Sequence, residues 1–490
     1  MTLPANGAAW PPRSIAPLYA DIVVDDAWYS GDADRLAKVY RHGPQHRKDG
    51  RRRLWGRHPQ PGKREQRLHI PLAGEIAQTS ADLLFADTPV ITTTDTAAQD
   101  RLDELLDVGG VAELLLTAAE TAAALSGVFL RVTWDRDAAP DRPLLTVVHP
   151  DQAVPEWRFG IMTAVTFWRA LPSTGSAVWR HLERHEPGTI LHGLYEGTDD
   201  QLGRRVPLTE HPETARLAAS LGAEGDAITT GVPMITAVYV PNIGPNRKHR
   251  GAPWGRSDLQ GVHDLLDALD ETWSSWLRDI RLARARLIVP DGYLRSTGAG
   301  KGAIFDDDRE VWQTLAIPPT EQGNGITLSQ FAIRVEEHRT TADAIVRQAT
   351  TAAGYSPTSL GLDGDGAAVT ATEIAARDHR SMVTRGKKVR YWRRAIADIL
   401  YVLLAVDRAQ FAGKATPERP TVDFGSGVAE DPGSTAQTLS LLAQAQAVST
   451  DTKVRILHPD WADEAVAKEV DRILAETGQA APDPVGTFPL

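Results

Sequence analysis

A chain of 490 residues with 42% apolar and 24% charged residues excludes wholesale disorder and leaves room for about three cores of ordinary size. Fifty-three Lys and Arg against 64 Asp and Glu give a net charge of -11, the wrong sign for a surface that grips nucleic acid broadly. There is no cysteine, which excludes disulfide frameworks, thiol nucleophiles and Cys-ligated zinc and suits a reducing cytoplasm.

Residues 1–17 carry no positive run ahead of an apolar one, and no stretch of about 18 apolar residues occurs; the expectation is a soluble chain without an export signal. Asp21–Tyr40 sets Ile22, Val23, Trp28, Leu36, Val39 and Tyr40 near helical spacing and predicts one helix. Residues 41–67 mix Gly and Pro with many bases, among them Arg53, Arg57 and Arg67. They predict a mobile basic loop, either solvated or held by phosphate or an acidic partner. Gly74–Phe85 and Val111–Leu125 read as amphipathic helices. From Gly127 the period becomes two, and 128–134, 144–149, 162–169, 177–185, 189–195 and 234–240 predict successive antiparallel strands. Helices leading into such a sheet argue an α+β fold.

Ser257 opens a longer pattern. Leu259, Val262, Leu266, Leu269, Trp273 and Ile280 recur at three and four, and with Trp276 they predict a helix over 257–289, about 45 Å long, with Ser257 as N-cap and Asp258 in its first turn. Acids crowd its first half (Asp264, Asp267, Asp270, Glu271) and Arg278, Arg281, Arg284 and Arg286 its end, as the helix dipole favours. A β-rich stretch at 290–335 precedes a second helix at 336–353 and a Gly-rich break at 354–369. The longest helix then runs from Thr370 to about Ala405, its Thr370-Ala371-Thr372-Glu373 start matching a capping box. This helix carries Arg377, Arg385, Lys387, Lys388, Arg390 and Arg393. Segments 434–446 and 461–476 predict a small helical pair at the end. The 13 Trp point to subunit junctions, where a large ring with one N–H donor is most useful.

Enzyme signatures fail. Gly300-Lys301 is followed by Gly302 in place of Ser or Thr, so no phosphate loop is formed. His181 and His185 share one face of a predicted strand but lack the His-Glu order of zinc peptidases, and read as solvent-facing. Asp306-Asp307-Asp308 reads as a solvated loop, and Asp423-Phe424-Gly425 lacks every other kinase element. No catalytic residue, metal site or cofactor is expected.

Two long helices flanking a compact β insert suit a ring in which helices of many subunits stack. The chain resembles the portal proteins of tailed double-stranded DNA phages, the type found in actinobacterial phages and prophages. The resemblance is carried, in order, by Trp28-Tyr29-Ser30-Gly31-Asp32, by His69-Ile70-Pro71-Leu72-Ala73-Gly74-Glu75-Ile76-Ala77 and by Thr79-Ser80-Ala81-Asp82-Leu83-Leu84-Phe85. It continues through Ser126-Gly127-Val128-Phe129-Leu130-Arg131-Val132, Pro150-Asp151-Gln152-Ala153-Val154-Pro155-Glu156, Gly255-Arg256-Ser257-Asp258 and Thr370-Ala371-Thr372-Glu373-Ile374.

The resemblance implies a homododecameric ring at one capsid vertex of the virion, assembled in host cytoplasm, through which double-stranded DNA is packaged and ejected. Its partners would be terminase, the head–tail adaptor, and the major capsid and scaffold proteins, with no membrane. Residues 1–256 and 370–433 would be the wing, 257–289 and 336–353 the stem, 290–335 the clip, 354–369 the tunnel loop and 434–490 the crown. Leu259, Leu266, Trp273, Trp276 and Ile280 would pack the stem. Leu360, Gly361, Asp363, Gly364, Asp365 and Gly366 would face moving DNA, acidic and free of bases so as to follow it without gripping. The basic residues of the long helix would form ion pairs between subunits sooner than touch DNA. The other readings are a different ring-forming capsid or scaffold protein, or an intracellular enzyme.

Overall fold

The structure is a computed structural model that describes residues 2–42, 53–57, 67–173, 175–221, 225–283, 286–288, 295–296, 303–304, 327–329, 332–362, 371–425, 439–445, 447–458, 461 and 463–477. Two compact units emerge: residues 1–368 with 374–425, and residues 369–373 with 426–490.

In the first unit the N-terminal helix expected over 21–40 is two helices, α1 (Ala16–Tyr29) and α2 (Ala33–His42). They part at Gly31, whose φ of +66° lies where only glycine sits without strain. Trp28 and Tyr40 then face each other across the turn, the indole N–H donating to the Tyr40 hydroxyl at 2.6 Å. Helices α3 (Leu72–Phe85), α4 (Thr96–Val108) and α5 (Val111–Leu125) follow; α4 was not anticipated. Among the described residues no single helix is long and apolar enough to cross a membrane.

Strands β2 (Gly127–Thr133), β3 (Leu144–Val148) and β10 (Ala237–Pro241) form a three-stranded antiparallel sheet in the order β10-β2-β3, with β2 central. Because β2 is covered on both faces, Val128–Leu130 reads as a continuous apolar run and not as an alternating one. A second antiparallel sheet holds β4 (Ala153–Arg158), β5 (Ile161–Leu171), β6 (Val178–Glu186), β7 (Thr189–Thr198) and β8 (Gln201–Val206) in chain order. Strand β9 (Ala227–Thr229) pairs with the start of β7. The predicted antiparallel sheet is thus two sheets; β4 was missed because it is short and interrupted by Pro155, and β8 because it is short and polar. A two-stranded pair joins β1 (Val90–Thr92) to β15 (Thr421–Asp423).

Helix α6 (Pro212–Leu221) covers one corner of the larger sheet. Helices α7 (His263–Leu282), α8 (Val335–Ala353) and α9 (Ala371–Gln410) complete the unit, with short strands β11 (Arg286–Ile288), β12 (Arg295–Ser296), β13 (Ala303–Ile304) and β14 (Thr327–Ser329) between α7 and α8. The turn expected at Gly298–Gly302 and the acidic run Asp306–Asp308 lie outside the described residues. One core packs α3, α4, α5, β2 and β10 against the C-terminal half of α9, with Trp392 fully buried edge-on to Phe85 at 5.0 Å. A second joins α1, α2, α3, the start of α7 and α8. A third lies between the two sheets, under α1.

Most tryptophans serve these cores. Trp10, Trp28, Trp55, Trp254 and Trp392 are buried within the chain, which corrects the expectation that they mark junctions between subunits. In the second unit, helices Thr450–Leu457 and Asp463–Glu476 pack together, and the Ser449 hydroxyl caps the first by accepting the Thr452 N–H at 3.2 Å. Helix 450–457 falls where the sequence suggested none.

His181 and His185 are buried, against the expectation of solvent-facing rings. Their side of β6 packs on β2 and β10. The Arg131 guanidinium binds Glu183 at 2.9 Å, Glu183 holds His185 at 2.7 Å, and His185 reaches the Thr236 hydroxyl at 2.6 Å. His181 stacks on His192, with ring nitrogens 3.2 Å apart. Burial lowers all three imidazoles below their ordinary range, His181 to about 4. The unfolded chain therefore binds more protons than the folded one once pH drops below about 6.5. Stability held above that pH is lost progressively down to about 4. The melting temperature should fall over this window, and His181→Phe should flatten the fall; an unchanged slope in the variant would place the dependence elsewhere.

Candidate functional site

The features that organise this molecule are a helical hairpin and the buried charge at its base. Helix α7 does not start at Ser257. Residues 257–262 form turns in which the Ser257 hydroxyl accepts the Leu259 N–H at 3.0 Å, and α7 runs only from His263 to Leu282. The expected helix over 257–289 is shorter at both ends because two requirements override its periodicity. Asp258 is needed in a buried pair, and Arg286–Ile288 pairs as β11 with β14. Leu259 accordingly lies in a turn and not on the helix.

Helices α7 and α8 run antiparallel, and the β11–β14 ladder joins the chain segments beyond their far end. At that end Asp279 accepts from His338 at 3.0 Å and from Arg334 at 2.7 Å, and these two hydrogen bonds hold its carboxyl below the usual range. Trp276 stacks on His338 at 5.9 Å, and Trp273 lies against Trp276 at 5.0 Å, so the tryptophans close the hairpin from inside. Leu266 and Leu259 are fully buried in the chain's own second core. Ile280 is 44% exposed.

The acids of α7 have partners in the same chain. Asp264, Asp267, Asp270, Glu271 and Ser274 recur at helical spacing and meet the segments at 53–57 and 67–70. Arg53 binds Asp264 at 2.6 Å and Arg57 binds Glu271 at 2.5 Å. Asp267 accepts the Leu54 N–H at 3.0 Å. Asp270, wholly buried, accepts from the Trp55 indole at 2.9 Å, from His69 at 2.8 Å and from the Ile70 N–H at 2.8 Å. Part of the basic loop is therefore fixed, with α7 as its acidic partner; 43–52 and 58–66 lie outside the described residues.

At the near end Asp258 and Lys388 form a pair 2.5 Å apart, each about 1% exposed. Asp258 also accepts from the Tyr355 hydroxyl at 2.7 Å and from Asn242 Nδ2 at 2.9 Å. The Lys388 ammonium donates in addition to the Ser80 hydroxyl at 2.6 Å and to the Tyr355 oxygen at 2.9 Å. Burial pushes Lys388 below the ordinary ammonium range, opposed by Asp258, and pushes the Tyr355 phenol well above its own. The node draws in α3, the turn before α7, the end of α8 and the middle of α9. It can form because Gly255 lies against backbone: a Cβ there would meet the Ser126 carbonyl at 2.2 Å. Nothing in the sequence pattern marked Tyr355, Asn242 or Ser80 as partners of Asp258; a lone buried-period Lys in α9 was the one available signal.

The predicted bases of α9 divide by helical face. Arg385 and Lys388 point inward, Arg385 donating to the carbonyls of Leu83 at 2.6 Å and Phe424 at 2.8 Å. Lys387 and Arg390 are exposed, and Arg393 lies 3.9 Å from Asp423. Arg377 and the cap at Thr370 lie outside the described side chains. In the predicted tunnel loop, Pro357–Leu360 is a 3₁₀ turn, Leu360 packs against the second core, and Gly361 has φ +69°. Asp363, Gly364, Asp365 and Gly366 lie outside the described residues. Among the described residues no group of three or more His, Asp or Glu could hold a metal ion.

Residues 19–483 match the family model for phage portal proteins of the SPP1 Gp6-like type, and the chain belongs to that family. The family is structural, and the chain is not an enzyme. No curated protein sequence matches. Among solved structures the chain resembles one in the virion of a native gene transfer agent particle, at 13% identity and TM-score 0.41, covering 92% of this chain and 96% of that one. It also resembles one in the neck of the native particle computed with C12 symmetry, at 15% identity and TM-score 0.37, covering 79% and 89%. These likenesses are too distant to carry residue roles across.

The node has a direct test. Lys388→Met leaves Asp258 buried beside neutral partners and should cost about 3–5 kcal/mol in denaturant unfolding of the full chain. Adding Asp258→Asn should recover more than half of it; a purely additive double variant would refute the coupling.

Proposed function

We propose that this member of the phage portal family assembles into a homo-oligomeric ring at one capsid vertex of the virion, as the conduit for packaging and ejecting double-stranded DNA. The observation that carries this reading is the family match over residues 19–483, which runs through the helical hairpin of α7 and α8. In this reading α7 and α8 are the stem, and 290–335 is the clip on which terminase and then the head–tail adaptor dock. Residues 1–256 and 370–433 are the wing, 354–369 the tunnel loop and 434–490 the crown, in contact with capsid and scaffold proteins.

The physical chemistry fits a passage better than a grip. Each phosphate neutralised by Lys or Arg adds salt-dependent affinity, and a chain of net charge -11 keeps most such contacts weak. The acids of α7 are largely consumed by 53–57 and 67–70, which stiffens the base of the hairpin. Stacking of Trp276 on His338 fixes its far end. A rigid pair of about 30 Å rods suits a wall that must not yield as DNA slides past.

Top views of the purified full chain in the electron microscope should show a perforated ring of about a dozen copies; monomers or closed dimers alone would sink the reading. With rings in hand, deletion of Asp363–Gly366 should leave assembly intact and abolish DNA filling of heads in an infected host, whereas normally filled heads would remove this loop from the channel.

A further inference from the structure

One surface of the first unit is built like a receptor. A groove of about 810 Å³ opens between the β4–β5 hairpin, β10 and the middle of α9. Its floor is apolar, with Met162, Ile235, Val238 and Ala395. At its lip Ile161 is 70% exposed, and Phe159, which precedes the lining Gly160 in the chain, is 98% exposed, large apolar surface that water covers at a cost of about 25 cal/mol per Å². Along the α9 wall Arg390 and Arg394 add positive charge. Asp398 meets Arg394 at 3.6 Å but is already held by Arg419 at 2.8 Å, so the wall stays net positive.

The same chain carries a shape of opposite character. Helices α4 and α5 meet at 64°, and the corner between them is convex and acidic. Val108, 51% exposed, stands at its tip next to Gly109-Gly110. Around it lie the exposed carboxylates of Asp100, Asp103, Asp107 and Glu113; those of Asp100 and Asp107 make no side-chain contact among the described residues. The carbonyls that end α4 add the negative end of a helix dipole.

Resting on the ring reading above, we propose that the α4–α5 corner of one copy seats in the β5–α9 groove of the next. Val108 covers Ile161 and Phe159, and Asp103 and Asp107 meet Arg394 and Arg390. Groove and corner are different surfaces of one chain, so the contact is head-to-tail, the kind that propagates from copy to copy and closes a ring when the rotation between copies allows it.

The absence of cysteine makes the test clean. Full-length Val108→Cys/Ile161→Cys, treated with a short bis-maleimide, should give a ladder of cross-linked multimers on denaturing gels, while either single substitution gives none. Arg390→Glu/Arg394→Glu should lower the ring fraction in mass photometry at least tenfold, and adding Asp103→Lys/Asp107→Lys should restore it. Rings that form normally yet give no ladder, or that ignore the charge reversal, overturn this contact and leave the ring reading standing. A wild-type chain that forms no ring overturns the ring reading itself. If the reversed-charge variant fails to melt cooperatively, the ladder alone decides.

Discussion

Everything in the first unit hangs from one buried charge pair. Lys388 and Asp258 are 130 positions apart, and their meeting sets where α9 crosses α3 and where α7 begins. Taking both charges out of water is costly, and the pair persists only because Tyr355, Ser80 and Asn242 occupy the remaining donors and acceptors. Such a pair contributes less to net stability than to uniqueness, since any shift of α9 by one residue would strand two charges in the core. The close approach of Gly255 to the Ser126 carbonyl is the steric counterpart: no side chain can intervene between the turn before β2 and the segment that leads into Asp258.

From this anchor the hairpin of α7 and α8 projects as a stiff rod, and its rigidity is electrostatic along one face and aromatic along the other. Asp267 and Asp270 are fully buried, yet Asp267 accepts the Leu54 N–H and Asp270 accepts from Trp55, His69 and Ile70, so the acidic stripe is structural. That leaves little acid on the hairpin base to repel or attract anything outside the chain. The exposed bases of α9 and the exposed acids of α4 carry charge of opposite sign, which suits them as partners for another copy.

The segments that carry the family resemblance turn out to be contact points of one another. Trp28 packs on His69, Ser80 reaches Lys388, and Ser126-Gly127 touches Gly255. Their order along the chain was legible, and so were α3, α5, α8 and strands β2, β3, β5, β6, β7 and β10, because each has a clean apolar period. The length of α7 was not. Its apolar period continues through Leu259 and Leu287, but Asp258 is claimed by Lys388 and Leu287 by Leu328 across the β11–β14 ladder. His181 and His185 were misplaced for a related reason: alternation identifies a strand, while a second sheet covering its polar side is a tertiary event.

The sequence by itself determined the family, the α+β class, the absence of thiol chemistry and the segregation of charge into α7 and α9. These follow from composition, local period and short motifs, which need no knowledge of what lies across the fold. Only the tertiary structure decided which charges are spent. Of the bases on α9, helical phase turns Lys388 and Arg385 inward and Lys387 and Arg390 outward. Whether an inward base is tolerable depends on an acid or carbonyls brought from distant positions. Burial of a charge is a property of the partners that surround it, and those partners come together only when the chain has folded.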